Sequence, residues 1–131
     1  MTPEESPHAG AGPRVLLVDD ELSGTEVLAL ILAGEGYQVT VAADGRQALA
    51  RLAEAAPELL IVDFMMPGMN GAELVHAVRA RDGYEAVPVL LISGAPESAL
   101  RSYQVPYQGF LRKPFSLEAL LSALDAVRDA G

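Results

Sequence analysis

The sequence predicts an α/β fold, a doubly wound parallel sheet of five strands with helices on both faces. Three observations carry that expectation. Short apolar runs alternate with helical patterns along the chain, the connections between them are short, and the first, third and fourth runs are continuously apolar rather than alternating. A strand without a polar face has no face for solvent, so these three belong in the middle of the sheet. Right-handed crossovers then distribute the helices over both sides.

The first strand is Val15-Leu16-Leu17-Val18. After it Leu22, Val27, Leu28, Ile31 and Leu32 recur at helical spacing, and Gly34 and Gly36 supply a stop. Val39-Thr40-Val41 forms the second strand, and Asp44 with Gln47 has capping-box spacing ahead of Ala48, Leu49 and Leu52. The third strand is Leu59-Leu60-Ile61-Val62, and Asn70 with Glu73 repeats the capping spacing before Leu74, Val75 and Val78. Val89-Leu90-Leu91-Ile92 is the fourth strand. Only Glu97 to Tyr103 then lies between Pro96 and Pro106, so the fourth helix is expected to be short or frayed. A weaker fifth strand runs over Tyr107–Leu111, and Ser116 precedes Leu117, Leu120, Leu121 and Leu124 of a fifth helix.

Half of the 131 residues are apolar, enough for one core without staples. Residues 1–13, rich in proline, glycine and small polar residues, read as a flexible leader, and residues 14–131 as the folded domain. Cysteine is absent, which excludes disulfides and thiolate metal sites. The longest apolar stretches are too short to span a bilayer and the leader lacks the apolar run of a secretory signal, so no membrane partner and a cytoplasmic location are expected. A net charge of −9 argues against direct nucleic-acid binding, which rests on clustered lysine and arginine.

In a sheet of this kind ligands bind beyond the carboxyl ends of the strands, at the switch point of strand order. The residues there are Asp19 and Asp20 after the first strand, Asp63 after the third, Ser93 after the fourth and Lys113 after the fifth. Three converging carboxylates repel one another unless a cation joins them, and oxygen ligands at a partly open site suit Mg2+. Zinc would require His or Cys, and His8 and His76 have no partners at ligand spacing. With the cation and Lys113 offsetting charge, Asp63 can attack a phosphoryl group and form an acyl phosphate. Ser93 can donate its hydroxyl to one phosphoryl oxygen and Lys113 can ion-pair with another. Lys113 is the only lysine among nine cationic residues, which hints that this place needs a compact ammonium. Met65, Met66 and Met69 read as adaptable packing around a loop.

Val18-Asp19-Asp20-Glu21, Asp63-Phe64-Met65-Met66-Pro67-Gly68-Met69-Asn70-Gly71, Ser93-Gly94 and Lys113-Pro114-Phe115 together resemble the response-regulator receiver domains of two-component signalling systems. The resemblance spans roughly residues 14–130, with the motifs in order. It implies a flavodoxin-like sheet of order 2-1-3-4-5, with Asp63 the phosphoacceptor in a phosphorelay. It implies further that Asp20 and Asp63 ligate Mg2+ directly, that Asp19 helps through water, and that the Met65 backbone carbonyl completes the protein ligands. A cis Lys113–Pro114 bond follows from the same likeness, as does a switch in which Ser93 moves toward the phosphoryl group and Phe110 turns inward. Phe110 has no hydroxyl, so such a switch rests on packing. The implied partners are a histidine kinase or phosphotransfer protein, a downstream protein target or a covalently linked output domain, and a second copy in a homodimer through the face of the fourth helix, fifth strand and fifth helix.

Two features depart from the family pattern. Residues Ser102 to Tyr107 lack the small-residue and glycine turn usual before the fifth strand, and the positions two beyond Asp63 and Ser93 are Met65 and Ala95, which hold no water by a charged side chain. A comparatively long-lived phosphoryl state is the expectation. Two rivals stand beside this reading. One is a phosphorylation-independent, receiver-like interaction module, whose usual sign is loss of an acid, the lysine or the acceptor. The other is an aspartyl-phosphate phosphohydrolase, which would need an acid where Met65 stands. A self-catalysed phosphoacceptor, rather than a turnover enzyme, fits the residues better than either.

Overall fold

The computed structural model describes residues 12–130. Five strands, β1 (Arg14–Val18), β2 (Gln38–Ala42), β3 (Leu59–Asp63), β4 (Val89–Ser93) and β5 (Gly109–Arg112), form one parallel sheet in the order β2-β1-β3-β4-β5. Helices α1 (Leu22–Gly34), α2 (Gly45–Ala55), α3 (Gly71–Arg79) and α4 (Leu117–Ala130) connect and follow the strands, and a 3₁₀ helix (Glu97–Tyr103) stands between β4 and β5. The doubly wound fold and the 2-1-3-4-5 order are those expected.

Every residue of β3 and β4 is buried, as continuous apolar runs require. Successive side chains of a strand point to opposite faces, which divides the core in two. Leu16, Val18, Leu60 and Val62 join Leu52, Leu74 and Val78 on the α2–α3 side. Val15, Leu17, Leu59 and Ile61 join Leu32, Leu120 and Leu124 on the α1–α4 side. At Gly109 a Cβ would meet the Val127 side chain at 2.5 Å, so glycine lets α4 lie close over β5.

The caps form with one variation. Asn70 and Glu73 make a reciprocal capping box at α3, and the Ser116 hydroxyl accepts from the Ala119 N–H at 3.0 Å ahead of α4. Asp44 accepts from the Gln47 N–H at 2.8 Å, but the Gln47 side chain reaches back to the Ala43 N–H at 2.7 Å rather than to Asp44. In α1 the expected apolar face is only partly buried. Ala29 and Leu32 lie inside, whereas Val27 and Ile31 are exposed. The helix is apolar nearly all round, so its sequence pattern does not single out the packed side.

Of the expected leader, only Gly12 and Pro13 lie within the described residues. The Gly12 N–H donates to Gly36 and the Pro13 carbonyl accepts from the Gln38 N–H, which lengthens the β1–β2 edge. The expected short fourth helix is the 3₁₀ helix, and the weak fifth strand begins at Gly109 rather than Tyr107. Arg79, at the end of α3, donates to the carbonyls of Val87 (2.6 Å) and Pro106 (2.8 Å) and to the Gln108 side chain (3.0 Å). Those bonds hold the segment leading into β5.

Helix α2 ends at Ala56, whose backbone is left-handed at φ 43° and whose N–H donates to Leu52. A side chain there is strained, whereas glycine is not. Ala56→Gly is therefore expected to raise unfolding free energy by about 0.5 kcal/mol, strain relief of about 1 kcal/mol less the added unfolded-state entropy. Urea denaturation with an unchanged m-value checks this, and a loss of stability would contradict it.

Candidate functional site

Three parallel strands, β1, β3 and β4, end at nearly one level, and the residues at or just beyond their ends are Asp19 and Asp20, Asp63 and Ser93. Strand order reverses between β1 and β3, so the crossovers leave to opposite sides and open a crevice at that point. The Lys113 N–H donates to the Ser93 carbonyl at 2.8 Å, continuing the β4–β5 ladder and bringing the lysine to the same rim. The Lys113–Pro114 bond is cis.

One carboxylate oxygen from each of Asp19, Asp20 and Asp63 lies within 4.8 Å of the other two. Asp19 and Asp63 are buried and Asp20 is exposed. The Lys113 ammonium donates to Asp19 Oδ2 at 3.0 Å and to Asp63 Oδ2 at 3.3 Å, one cation shared between two anions. The remaining oxygens take backbone donors: Asp19 Oδ1 accepts from the Glu21 N–H at 3.0 Å and Asp63 Oδ1 from the Met65 N–H at 3.3 Å. Burial pushes the Asp63 carboxyl up from 3.8 to about 6, and the Asp19 charge adds to this, while Lys113 and the Met65 N–H offset only part. Burial also works against the charge on Lys113, but the hydrogen bond to Asp19 and the charges of Asp63 and Asp19 outweigh it and hold the ammonium above its ordinary value.

The site is therefore short of positive charge, and its donor set is all oxygen. That suits a hard divalent cation such as Mg2+, with the exposed Asp20 offering carboxylate oxygens on the open side.

Asp19, Asp20, Asp63 and Lys113 thus come together as the strand-end argument requires. Ser93 is fully buried at the end of β4, and its hydroxyl accepts from the Ala95 N–H at 3.0 Å, so it shapes the turn after the strand rather than capping the 3₁₀ helix. Phe110 is half-buried against the α2–α3 core, its ring 6.5 Å from that of Tyr107. His76 lies on the exposed side of α3 and, among the described residues, comes near no carboxylate of the site, its ring facing the Tyr103 carbonyl at 3.5 Å.

Two contributors were not singled out by sequence reasoning. At Gly71 a Cβ would meet Phe64 Cα at 2.7 Å and the Asp63 carbonyl at 2.9 Å, so only glycine lets α3 begin against the backbone that carries Asp63. The signal was a glycine directly after the Asn70 cap. The other is the exposed apolar side of α1, where Val27, Leu28 and Ile31 with Lys113 and Phe115 line a groove of about 550 Å³ running up to Asp19. The helical spacing of Val27, Leu28 and Ile31 marks an apolar face but not that this face is left open.

The model of the response regulator receiver domain matches residues 15–125. Among relatives, the DNA-binding response regulator MtrA of Mycobacterium tuberculosis is 33% identical over 115 residues, 86% of this chain and 49% of that protein. The chain thus spans about half the length of MtrA and its mycobacterial counterparts. Among solved structures, the chemotaxis protein CheY4 of Vibrio cholerae superposes with a TM-score of 0.82 at 39% identity, covering 89% of this chain and 99% of that one. The receiver domain of the sensor histidine kinase PA1611 of Pseudomonas aeruginosa, described with a magnesium ion coordinated in its active-site cleft, gives 0.82 at 26% identity over 91% of this chain and 99% of its own. With the matched residues reaching from β1 into α4 and so taking in the whole strand-end cluster, the chain belongs to the response regulator receiver domains of two-component systems.

Proposed function

We propose that this domain is a phosphoacceptor, receiving a phosphoryl group on Asp63 from the phosphohistidine of a histidine kinase or phosphotransfer protein in a Mg2+-dependent step. The observation that carries the reading is a buried carboxylate, Asp63, crowded by two others at the switch point, with one lysine shared between it and Asp19. An Asp63 oxygen attacks phosphorus, the donor's N–P bond breaks, and the imidazole leaves to take up a proton. Lys113 follows the arriving charge because its ammonium already spans Asp19 and Asp63, and Ser93 offers its hydroxyl to a phosphoryl oxygen. Asp20, Asp63 and the Met65 carbonyl would hold Mg2+, with Asp19 acting through water. When bound, the ion supplies the positive charge that the three carboxylates lack.

In this reading the domain is a self-catalysed acceptor rather than a turnover enzyme, since Met65 stands where a phosphohydrolase needs an acid. Movement of Ser93 and Phe110 passes the change to the face of the 3₁₀ helix, β5 and α4, for a downstream protein, a linked output domain or a second copy. The groove along α1 supports a protein donor, since it gives apolar surface beside Lys113. No helix of the described residues is long and apolar enough to cross a membrane; a cytoplasmic location belongs to the same proposal. So does the absence of direct nucleic-acid contact by this domain, for which the charge of −9 speaks.

Incubation with Mg2+ and acetyl phosphate or beryllium fluoride, followed by amide NMR, tests the reading. Shifts around Asp63, Ser93, Phe110 and Lys113 that need Mg2+ and vanish in Asp63→Asn are expected. Unchanged spectra in both proteins, with its own kinase also failing to label Asp63, would favour the phosphorylation-independent module.

Burial of Asp63, with the Asp19 charge beside it, makes a second, thermodynamic prediction. The folded state holds the Asp63 proton more tightly than the unfolded chain, so this group's contribution to stability is full below pH 3.8 and is lost as pH rises through about 6. Without divalent cation, Asp63→Asn is expected to exceed the wild type in stability by about 3 kcal/mol at pH 7.5, at roughly 1.4 kcal/mol per unit of displacement. Urea titrations should show the gap narrowing toward pH 4, and at pH 7.5 on adding Mg2+. A variant less stable at every pH would refute the upward displacement of the Asp63 carboxyl.

Lifetime gives a third. Met65 and Ala95 offer no charged group to hold a hydrolytic water, so label on Asp63 is expected to decay slowly, and Met65→Glu to hasten its loss about tenfold. Decay of purified phosphoprotein followed by phosphate release checks this, and rapid loss from the unaltered protein would count against it.

A further inference from the structure

The residue after the acceptor carries the next inference. Phe64 is buried, its N–H donates to the Ile92 carbonyl at 2.8 Å and its own carbonyl accepts from the Gly71 N–H at 2.8 Å. The backbone beside Asp63 is thus tied to β4 on one side and to the start of α3 on the other. Its ring meets that of Tyr103 edge-on, with centroids 4.9 Å apart and planes at 72°. This geometry sets the positive edge of one ring against the face of the other.

Tyr103 is the last residue of the 3₁₀ helix and stays 45% exposed, so burial alone does not account for where its ring sits. Besides this ring contact and the His76 ring, 3.5 Å from the Tyr103 carbonyl, that helix has little to hold it. Leu100 is its one buried residue, the Tyr107 hydroxyl bonds to Glu97 at the opposite end, and Gln104 closes it in a left-handed conformation at φ 51°. A short 3₁₀ segment with so few anchors lies at the low end of local stability. Its contact with Phe64 is therefore a link between a weakly held element and the backbone of the acceptor.

We propose that Tyr103 is a positioning residue for the acceptor loop: through its edge-on contact with Phe64 it sets the placement of Asp63 and the Met65 carbonyl, and so couples cation binding at the site to the 3₁₀ helix. The proposal rests on the Mg2+ reading given above. Coupling of this kind is reciprocal, so whatever docks on the 3₁₀ helix alters cation affinity by the same factor by which the cation alters docking.

Mg2+ titrations of the full chain, followed by the amide shifts of Asp20, Asp63 and Met65, provide the test, with urea unfolding reporting whether each variant folds. Tyr103→Leu is expected to weaken Mg2+ binding about two- to tenfold, the range such an aromatic contact is worth. Tyr103→Phe keeps the ring and should bind as the wild type does. Phe64→Leu should weaken binding to a similar degree, and the double variant Phe64→Leu/Tyr103→Leu no further than either single change. Tyr107→Phe loosens the same helix at its other end without touching Phe64 and should weaken Mg2+ binding clearly less than Tyr103→Leu does. The proposal is overturned if Tyr103→Leu binds Mg2+ normally, if the two single losses add, or if Tyr107→Phe weakens binding as much. Failure of the unaltered protein to bind Mg2+ would instead overturn the cation reading itself, and this proposal with it.

Discussion

Carboxylate crowding at the ends of β1 and β3 is the constraint around which the rest of this molecule is arranged. Asp19 and Asp63 are buried, Asp20 stands beside them, and one ammonium is divided between the two buried anions. Buried like charges at such separations are tolerated only when a carboxyl takes up a proton or positive charge is brought in. Burial, with the Asp19 charge added, displaces the Asp63 carboxyl upward in the direction of the first response, and the all-oxygen donor set invites the second. A site with unmet demand for positive charge is at a higher free energy than one already neutral, and a cation or a change at Asp63 has leverage on the fold for that reason.

The scaffold supplies the crowding through backbone geometry. Parallel strands in register end at one level, so residues far apart in the chain are delivered to one rim: Asp19 and Lys113 are separated by 94 positions and meet at 3.0 Å. Burial of β3 and β4 on both faces removes water from beneath Asp63 and Ser93. Gly71 lets α3 start directly against the backbone of Asp63 and Phe64, and Gly109 lets α4 close over β5. Each glycine acts by omission of a Cβ where two backbone elements, or a backbone and a side chain, press together.

Rigidity is distributed unevenly. The central strands and the capped helices α2 and α3 hold the acids in place, whereas the 3₁₀ helix between Pro96 and Pro106 depends on one buried leucine, one aromatic edge, one tyrosine–glutamate bond and the His76 ring at the Tyr103 carbonyl. A two-state response needs an element whose alternatives differ by a few kcal/mol, and the weakly anchored segment meets that requirement where the sheet does not. Its contact with Phe64 places it one residue from Asp63.

Much of this was legible in the amino-acid order. Periodicity named the strands, the capping residues Asp44, Asn70 and Ser116 named three helix starts, and the rule that ligands lie beyond strand ends selected Asp19, Asp20, Asp63, Ser93 and Lys113 before any coordinates. Such features are local, set by residues within a turn or a strand of one another, and sequence carries them directly. The packed side of α1, the conversion of the fourth helix to a 3₁₀ turn, the sharing of Lys113 between two acids and the meeting of Phe64 with Tyr103 were decided by tertiary structure. An apolar helix does not declare its buried face, and a contact across 39 positions exists only once the sheet has set both partners' heights. Residue order determined which groups stand at the strand ends; packing decided which of them touch and how much charge they must share.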